Sequence, residues 1–240
     1  VGLFKTRLLI SIFFGTKAQL LDVYYAAFRI PDTIFQILVI GTLSAAFIPT
    51  FNKYLAKNEK EAWHIASDTM NLMFLVFFVL SVVIFIFAHP MSRLLAPGFS
   101  ASQTALMVQL LRIMLVAQAF FSISGFLTAI IQSHQRFLVP ALAPIAYNVG
   151  IILGIWLLSP RFGILGPAIG VVIGAVLHVL IQLPLALRLG FRPHLHLNLS
   201  HPGVLEIGRL APARSLALGI DQIEQTVAVV LASFLSPGSL

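Results

Sequence analysis

The residues of this chain that could do chemistry are a few charged side chains set among apolar ones. Asp22 and Arg29 are seven residues apart, which places them about two turns apart on one face of a helix. Together with Lys5, Arg7 and Arg112 they could line one hydrated cavity. Such a cavity would be cationic on balance, and its guanidinium and ammonium groups would suit an anionic group such as a phosphate or pyrophosphate.

A structural interpretation of the same residues stays open. Asp22 and Lys17 could lie at a membrane surface, with their side chains extending toward lipid headgroups. Arg29 and Arg112 could equally be interfacial. The functional interpretation rests on the high free-energy cost of ionisable groups at membrane depth, which makes such groups candidates for a functional site by default.

Pro140, Pro144 and Asn148 are spaced by four residues and form a stripe along one apolar stretch. Prolines in a membrane helix free backbone carbonyls, so this stripe could line a cavity, with Asn148 as a substrate-binding amide. The alternative is packing between helices, in which Asn148 makes a hydrogen-bonding contact. The sequence leaves both interpretations open.

A ridge of small residues occupies the next apolar stretch, where Gly166, Gly170 and Gly174 repeat every four residues. This pattern is typical of two helices that pack closely in a membrane. His178 follows at the same spacing and is interpreted as an interior histidine with its hydrogen bonds satisfied.

Catalytic and metal-binding patterns are absent from the sequence. It contains no G-x-S-x-G, H-E-x-x-H or P-loop motif, and no cysteine. Asp221 and Glu224 lack a base or metal partner and are interpreted as pairing with Arg214 or extending toward headgroups. We therefore expect a protein that is not an enzyme and that has no cofactor and no metal. Three histidines near one another are interpreted as a solvated loop: His194, His196 and His201.

The composition predicts an integral membrane protein. Of the 240 residues, 59% are hydrophobic and 10% are charged, and the mean hydropathy is +0.98. Soluble domains have roughly 45–50% apolar and about 25% charged residues, so a soluble domain is excluded. The net charge of +7 is spread along an apolar chain and forms no basic face, which argues against nucleic acid as a partner.

Seven candidate spans can be counted from runs of about 20 apolar residues. Pro31 either kinks a helix or marks the start of the second span at Asp32. The run at 1–16 is interpreted as the remainder of a truncated first span, and both ends of the chain are interpreted as cut. The other six candidates cover residues 33–52, 69–88, 113–132, 137–160, 162–187 and 211–235.

Lysine and arginine counts assign the loops to sides of the membrane, because cytoplasmic loops are enriched in both. The even-numbered loops hold seven of these residues and the odd-numbered loops hold three. The count predicts that the even loops and the N-terminus are cytoplasmic, in a membrane protein with several spans. The seven are Lys53, Lys57, Lys60, Arg136, Arg188, Arg192 and Arg209.

Six stretches in consecutive order resemble the MurJ/MviN family of lipid II flippases, which belongs to the wider multidrug/oligosaccharidyl-lipid/polysaccharide exporter superfamily. The most specific one joins the fourth and fifth spans. Any one of them would be a weak signal, and their shared order makes the resemblance specific. In chain order they are DVYYAAFRIP (22–31), SAAFIP (44–49), APGF (96–99), AIIQSHQRF (129–137) continued by PALAP (140–144) and Asn148, QLP (182–184) and ASF (232–234).

The resemblance implies an all-α helical transmembrane bundle. Residues 1–200 would form the N-terminal lobe of about six spans, and residues 201–240 would form a lateral segment and a seventh helix that begins the C-terminal lobe. The implied activity is the movement of a polyprenyl pyrophosphate-linked glycan, a peptidoglycan precursor, from the cytoplasmic to the outer leaflet by alternating access. The implied partners are this lipid, the bilayer and the remaining C-terminal lobe.

The resemblance also implies roles for individual residues. Asp22 falls on the family's aspartate after the first span, and Arg29 on the basic residue before the proline. Lys5, or Arg7 as its rival, falls near the family's first-span arginine. Beyond the resemblance, our own hypothesis is that Arg29, Arg112 and one of these two hold the phosphates, and that Asp22 pairs with one cation in one state and releases it in the other.

The chain departs from the family pattern at several charged positions. Phe35 and Gln36 stand where the family has an arginine-rich stretch, and Thr6 replaces an acidic neighbour of the first-span arginine. These departures indicate a divergent member. They keep open a cation-coupled exporter of another lipid-linked polysaccharide or drug, and a membrane scaffold that does not transport. A membrane-embedded enzyme acting on prenyl phosphates is disfavoured, because no aspartate-rich motif is present to hold Mg²⁺.

Overall fold

The computed structural model of the chain describes residues 2–13, 18–194 and 197–235, and these residues contain helices and no strand. The all-α prediction is confirmed. Lys17 and His196 lie outside the described residues. The α-helices are α1 (Gly2–Phe13), α2 (Ala18–Ile34), α3 (Ile48–Leu55), α4 (Glu59–Ile86), α5 (Ala88–Leu95), α6 (Ala101–Ser133), α7 (Leu138–Leu153), α8 (Ser159–Phe162), α9 (Leu165–Arg188) and α10 (Pro202–Ala232).

Six of the described helices are long and apolar enough to cross a membrane. They are Ala18–Leu55, Glu59–Ile86, Ala101–Ser133, Leu138–Phe162, Leu165–Arg188 and Pro202–Ala232. They correspond to the second to seventh predicted spans, whereas α1 has 12 residues and is shorter than the roughly 20 that a crossing needs. The chain is therefore a multi-pass membrane protein.

The second span differs from the prediction. It is one continuous helix from Ala18 to Leu55, so it begins well before Asp32, and the interpretation of Pro31 as a loop start is wrong. The missing proline N–H costs one backbone hydrogen bond, which a membrane helix packed against neighbours tolerates. Two π-helical segments follow, Phe35–Ile40 and Leu43–Phe47.

The other spans also extend beyond the charge-free windows, because polar residues cap and begin the helices. Asn58 precedes α4, and its side-chain oxygen accepts hydrogen bonds from the N–H groups of Lys60 and Glu61. Ser100 and Gln103 form a reciprocal capping box at the start of α6. Arg112 consequently lies inside α6.

The three even-numbered loops meet at one end of the bundle. Trp63, at the start of α4, stacks on His134 after α6, with ring centroids 5.5 Å apart and planes at 7°. Trp63 also contacts Phe191 after α9, at 6.1 Å between ring centroids. We call this the Trp63 end. The loops whose lysines and arginines were counted together therefore lie at the same end of the molecule.

Helix α10 runs from the Trp63 end to the opposite end. Near its start Glu206 forms an ion pair with Lys53 at 3.0 Å. Just after its last turn the Ser233 hydroxyl accepts a hydrogen bond from the Gly98 N–H at 3.2 Å, in the APGF turn after α5. The two contacts fix α10 as a helix that crosses the full thickness of the bundle.

The span that contains α7, Leu138–Phe162, crosses α9 at glycines on both helices; we call it the α7 span. A Cβ atom at Gly170 would lie 2.9 Å from the Gly154 Cα, and a Cβ atom at Gly150 would overlap the backbone of Gly174. At the end of the crossing, a Cβ atom at Gly166 would lie 2.5 Å from the Ser159 backbone nitrogen. The predicted small-residue ridge is thus matched by small residues on the facing span Leu138–Phe162, and the two backbones are in direct contact.

Candidate functional site

The side chain of Arg29 leaves α2 and binds α10. Nη2 donates to the Gln222 carbonyl at 2.8 Å and to Gln222 Oε1 at 2.7 Å. Nη1 donates to Gln225 Oε1 at 2.6 Å, and Nε donates to Thr226 Oγ1 at 3.3 Å. We call these four residues the Arg29 cluster: Arg29, Gln222, Gln225 and Thr226.

The helical register of α10 places the three acceptor residues together. Gln222, Gln225 and Thr226 have the i, i+3, i+4 spacing that lies on one face of a helix. The Thr226 hydroxyl donates to the Gln222 carbonyl at 2.7 Å, so this carbonyl accepts from two side chains. The face that α10 presents to Arg29 is therefore made of neutral oxygen acceptors.

Arg29 is buried, with 8% of its surface exposed, and its hydrogen-bond acceptors among the described residues carry no formal charge. Asp32 interacts with it electrostatically, one turn along α2. The charge of Arg29 is therefore offset in part by Asp32, whereas its side-chain hydrogen bonds all go to neutral acceptors. An arginine in such surroundings can hold an anion through its planar fork of donors.

Lys5 and Arg7 lie on α1, and Asp22 lies on α2. Asp22 is buried on α2, with 6% of its surface exposed. Lys5 is partly buried and Arg7 is exposed, both on α1, and α1 packs against α2 and α7. The structure therefore places these helices side by side, whereas the described hydrogen bonds of Arg29 run to α10.

Arg112 lies on α6 and contacts α4. Its Nε and Nη2 donate to the Phe85 carbonyl at 3.4 and 3.3 Å, and its guanidinium carbon lies 4.5 Å from the centroid of the Phe85 ring. In this conformation the side chain joins α6 to α4. Its part in binding a substrate stays a prediction.

We expect Arg112→Gln to lower the free energy of unfolding by about 1 kcal/mol, the usual size of a cation–π contact at an exposed site. Thermal unfolding of the intact protein in detergent measures this effect, with Arg93→Gln at an exposed position in α5 as the control. If the transport rate falls by much more than this loss of stability explains, Arg112 binds the substrate as the sequence predicted.

A second polar region lies around His178. The Ser124 hydroxyl is 2.5 Å from His178 Nδ1, Gln182 Nε2 donates to Ser124 Oγ at 2.6 Å, and Thr128 donates to Gln182 Oε1 at 2.6 Å. His178 has partners inside the protein, as expected. A cavity of about 380 Å³ lies beside it, and its lining includes Thr128, Gln132, His178, Pro140 and Pro144.

The proline stripe therefore borders a cavity, which favours the cavity interpretation for Pro140 and Pro144. Asn148 does not line this cavity. Its Nδ2 donates to the Pro144 carbonyl at 2.7 Å within α7. Its role as a substrate-binding amide stays a prediction.

The acceptors in the Arg29 cluster were missed by reasoning from sequence. Asp221 and Glu224 drew attention because they are charged, but both are exposed on α10, whereas Gln222 between them is buried. The spacing of Gln222, Gln225 and Thr226 within an apolar helix was a usable signal, since a polar face on a membrane helix needs partners.

Comparison with known proteins gives a consistent result. Residues 10–240 match the family model described as "Lipid II flippase MurJ". The chain is 30% identical to the probable lipid II flippase MurJ of Buchnera aphidicola subsp. Acyrthosiphon pisum over 99% of this chain and 47% of that protein. It is 29% identical to the lipid II flippase MurJ of Burkholderia cenocepacia over 97% of this chain and 46% of that protein.

The fold is also similar to a solved structure titled "Lipid II flippase MurJ, inward closed conformation". The TM-score is 0.80 at 25% sequence identity, over 99% of this chain and 49% of the solved chain. The chain thus spans about half the length of the curated relatives and of the solved structure that it matches.

Proposed function

The chain belongs to the MurJ family of lipid II flippases, and from this we propose that it is the N-terminal lobe of a transporter for a polyprenyl pyrophosphate-linked glycan. The lipid would move from the cytoplasmic to the outer leaflet by alternating access. The observation that carries the proposal is Arg29, a buried cation whose described hydrogen bonds all run to neutral acceptors on a neighbouring helix.

The guanidinium of Arg29 suits a phosphate because its parallel N–H donors match two phosphate oxygens at once. Burial strengthens this interaction, since charges attract more strongly where water is excluded. Lys5 or Arg7 on α1 would supply a second positive charge. Asp22 would pair with one of these cations in one state and release it in the other.

Arg112 and Asn148 complete the proposed substrate-binding set. Both side chains are bonded elsewhere in this conformation, Arg112 to Phe85 and Asn148 to Pro144. Their participation therefore requires a conformational change that frees them, which alternating access provides.

The proposed setting is a bacterial inner membrane with the Trp63 end in the cytoplasm. The excess of lysine and arginine in the even loops supports this side and, with it, a cytoplasmic N-terminus. The proposed partners are the lipid-linked substrate, the bilayer and a C-terminal lobe of the same protein. No covalent chemistry on the substrate is proposed.

The test is binding of a polyprenyl pyrophosphate-linked disaccharide to the intact protein, compared with the monophosphate form and with neutral polyprenol. We expect affinity for the pyrophosphate to exceed that for the neutral lipid by about 100-fold or more, because two or more charge-assisted hydrogen bonds are gained. The preference should disappear in the double variant Lys5→Gln/Arg29→Gln.

Equal affinity for all three lipids would overturn the proposal and would favour a cation-coupled exporter of another substrate, or a scaffold. Phe35 and Gln36 favour these alternatives, because uncharged side chains occupy the π-helical segment where the family has arginines.

A further inference from the structure

The middle of helix α10 is held to the rest of the described structure mainly by polar contacts, whereas apolar residues nearer its ends, Ile207, Val229 and Val230, pack against the core. Between Gly208 and Ala232, Gln222 is the only buried residue whose side chain the structure describes. The Ser215 hydroxyl donates to the carbonyl of Ile37 at 2.8 Å, within the π-helical segment of the second span. Large apolar side chains of α10 such as Leu216, Ile220 and Ile223 are exposed. Little buried apolar surface would therefore become exposed if the middle of α10 moved away from the second span.

We propose that α10 and the substrate's phosphate compete for Arg29. In this conformation the oxygens of Gln222, Gln225 and Thr226 occupy donors that would bind the phosphate, so the cation is withheld until a phosphate displaces them. The three α10 residues are then positioning residues that control when Arg29 is available. This inference rests on the proposed function.

The relative strengths of the two sets of bonds favour displacement. Amide and hydroxyl oxygens are neutral acceptors, whereas phosphate oxygens are charged and form hydrogen bonds that are shorter and stronger. The planar guanidinium of Arg29 can donate either to the neutral oxygens on α10 or to the phosphate oxygens of the substrate. A pyrophosphate that reaches Arg29 therefore gains more than α10 loses, and a solute without charged oxygens does not.

The competition also gives the substrate a way to change the conformation. A ligand shifts an equilibrium between two states only by binding them unequally. Because α10 blocks Arg29 in one state and leaves it free in the other, the phosphate binds the second state better. Release of α10 is then the direct consequence of substrate binding.

A disulfide between the second span and α10 can report whether α10 is docked. The chain contains no cysteine, so an introduced pair has no background within it. A Cβ atom at Gly41 would lie 2.9 Å from the Ser215 Oγ and 3.2 Å from the Ser215 Cα. These distances place the two Cβ atoms in the disulfide range of roughly 3.5–4.5 Å. The pair lies about two turns from Gln222, so it does not alter the Arg29 cluster.

The experiment measures the rate of disulfide formation in the intact Gly41→Cys/Ser215→Cys protein, together with lipid affinity. We expect a saturating polyprenyl pyrophosphate-linked disaccharide to slow cross-linking about fivefold or more, and neutral polyprenol to leave it unchanged. Adding Gln222→Leu/Gln225→Leu should slow cross-linking without lipid and should tighten pyrophosphate binding by about tenfold. Gln109→Leu, at an exposed glutamine in α6, is the matched control and should change neither.

A second variant tests the same competition without altering α10. Arg29→Lys keeps the positive charge but replaces the fork with a single donor atom that cannot reach three acceptor side chains together. Cross-linking without lipid should therefore slow as in the glutamine variants, and pyrophosphate binding should weaken because the fork that matches two phosphate oxygens is lost.

The outcomes separate this inference from the proposed function. If the pyrophosphate lipid binds and cross-linking is unchanged, or if the glutamine variants bind it more weakly, the competition is wrong and the proposed function stands. If the pyrophosphate lipid does not bind, both are overturned. Tighter binding in the glutamine variants supports the competition, because residues with a merely structural role would not raise affinity when removed.

Discussion

Arg29→Gln is expected to reduce transport by the intact protein at least about 100-fold, because hydrogen bonds to a charged group contribute about 1.5–3 kcal/mol each and a phosphate would lose two. Stability should change much less. Glutamine can still donate to an acceptor on α10, and the cost of burying a charge disappears with the guanidinium.

Two assays on the same preparations check this prediction: transfer of a labelled polyprenyl pyrophosphate glycan across proteoliposomes, and the unfolding midpoint in detergent. Arg29→Lys is the matched comparison: it should transport faster than Arg29→Gln because it keeps the charge, and more slowly than the parent because it loses the fork of donors. Parental rates of transport in the glutamine variant would show that Arg29 does not bind the substrate.

Gly154→Leu is expected to destabilise the protein by about 3 kcal/mol or more, above the usual range for overpacking. The reason is that the atoms facing Gly154 belong to a backbone. A Cβ atom there would lie 2.6 Å from the carbonyl oxygen of Gly166 and 2.7 Å from the backbone nitrogen of Gly170, and neither can move as a flexible side chain would. The α7 span and α9 would have to separate, with loss of the packing between them.

The measurement is the unfolding midpoint together with the amount of folded protein recovered from membranes. Gly208→Ala in α10 is the control, because a Cβ atom at that position has nothing within 4 Å. It should leave both quantities within error or slightly raise stability, since alanine is the better helix former. A Gly154→Leu protein as stable as the parent would mean that the two helices do not cross at these glycines.

Much of the fold follows from the lengths of the apolar runs and from the spacing of small residues in the sequence. Apolar runs of sufficient length have no stable alternative to helices in a bilayer, so the runs predicted helical spans, and six of the seven predicted spans correspond to long helices among the described residues. The small-residue ridge was readable for a similar reason, because the spacing of Gly166, Gly170 and Gly174 is itself the geometry of a helix face.

The span boundaries were less accessible to sequence reasoning. Charge-free windows placed the second span after Asp32, whereas the helix starts at Ala18 and carries Asp22, Arg29 and Asp32 within it. A count of apolar residues treats every charge as an end. A charge stays inside a helix when the folded protein supplies partners for it, and those partners are not visible in the local sequence.

The Arg29 cluster marks the limit of what the sequence determined. The sequence singled out Arg29 as a candidate cation, and its motif carried the family resemblance. Only the tertiary structure decided that its partner is Gln222, 193 residues further along the chain. Charge directed attention to Asp221 and Glu224, but the rotation of α10 about its axis leaves those carboxylates exposed and buries Gln222. That rotation depends on how the whole helix packs between the Trp63 end and Gly98, which no local pattern specifies.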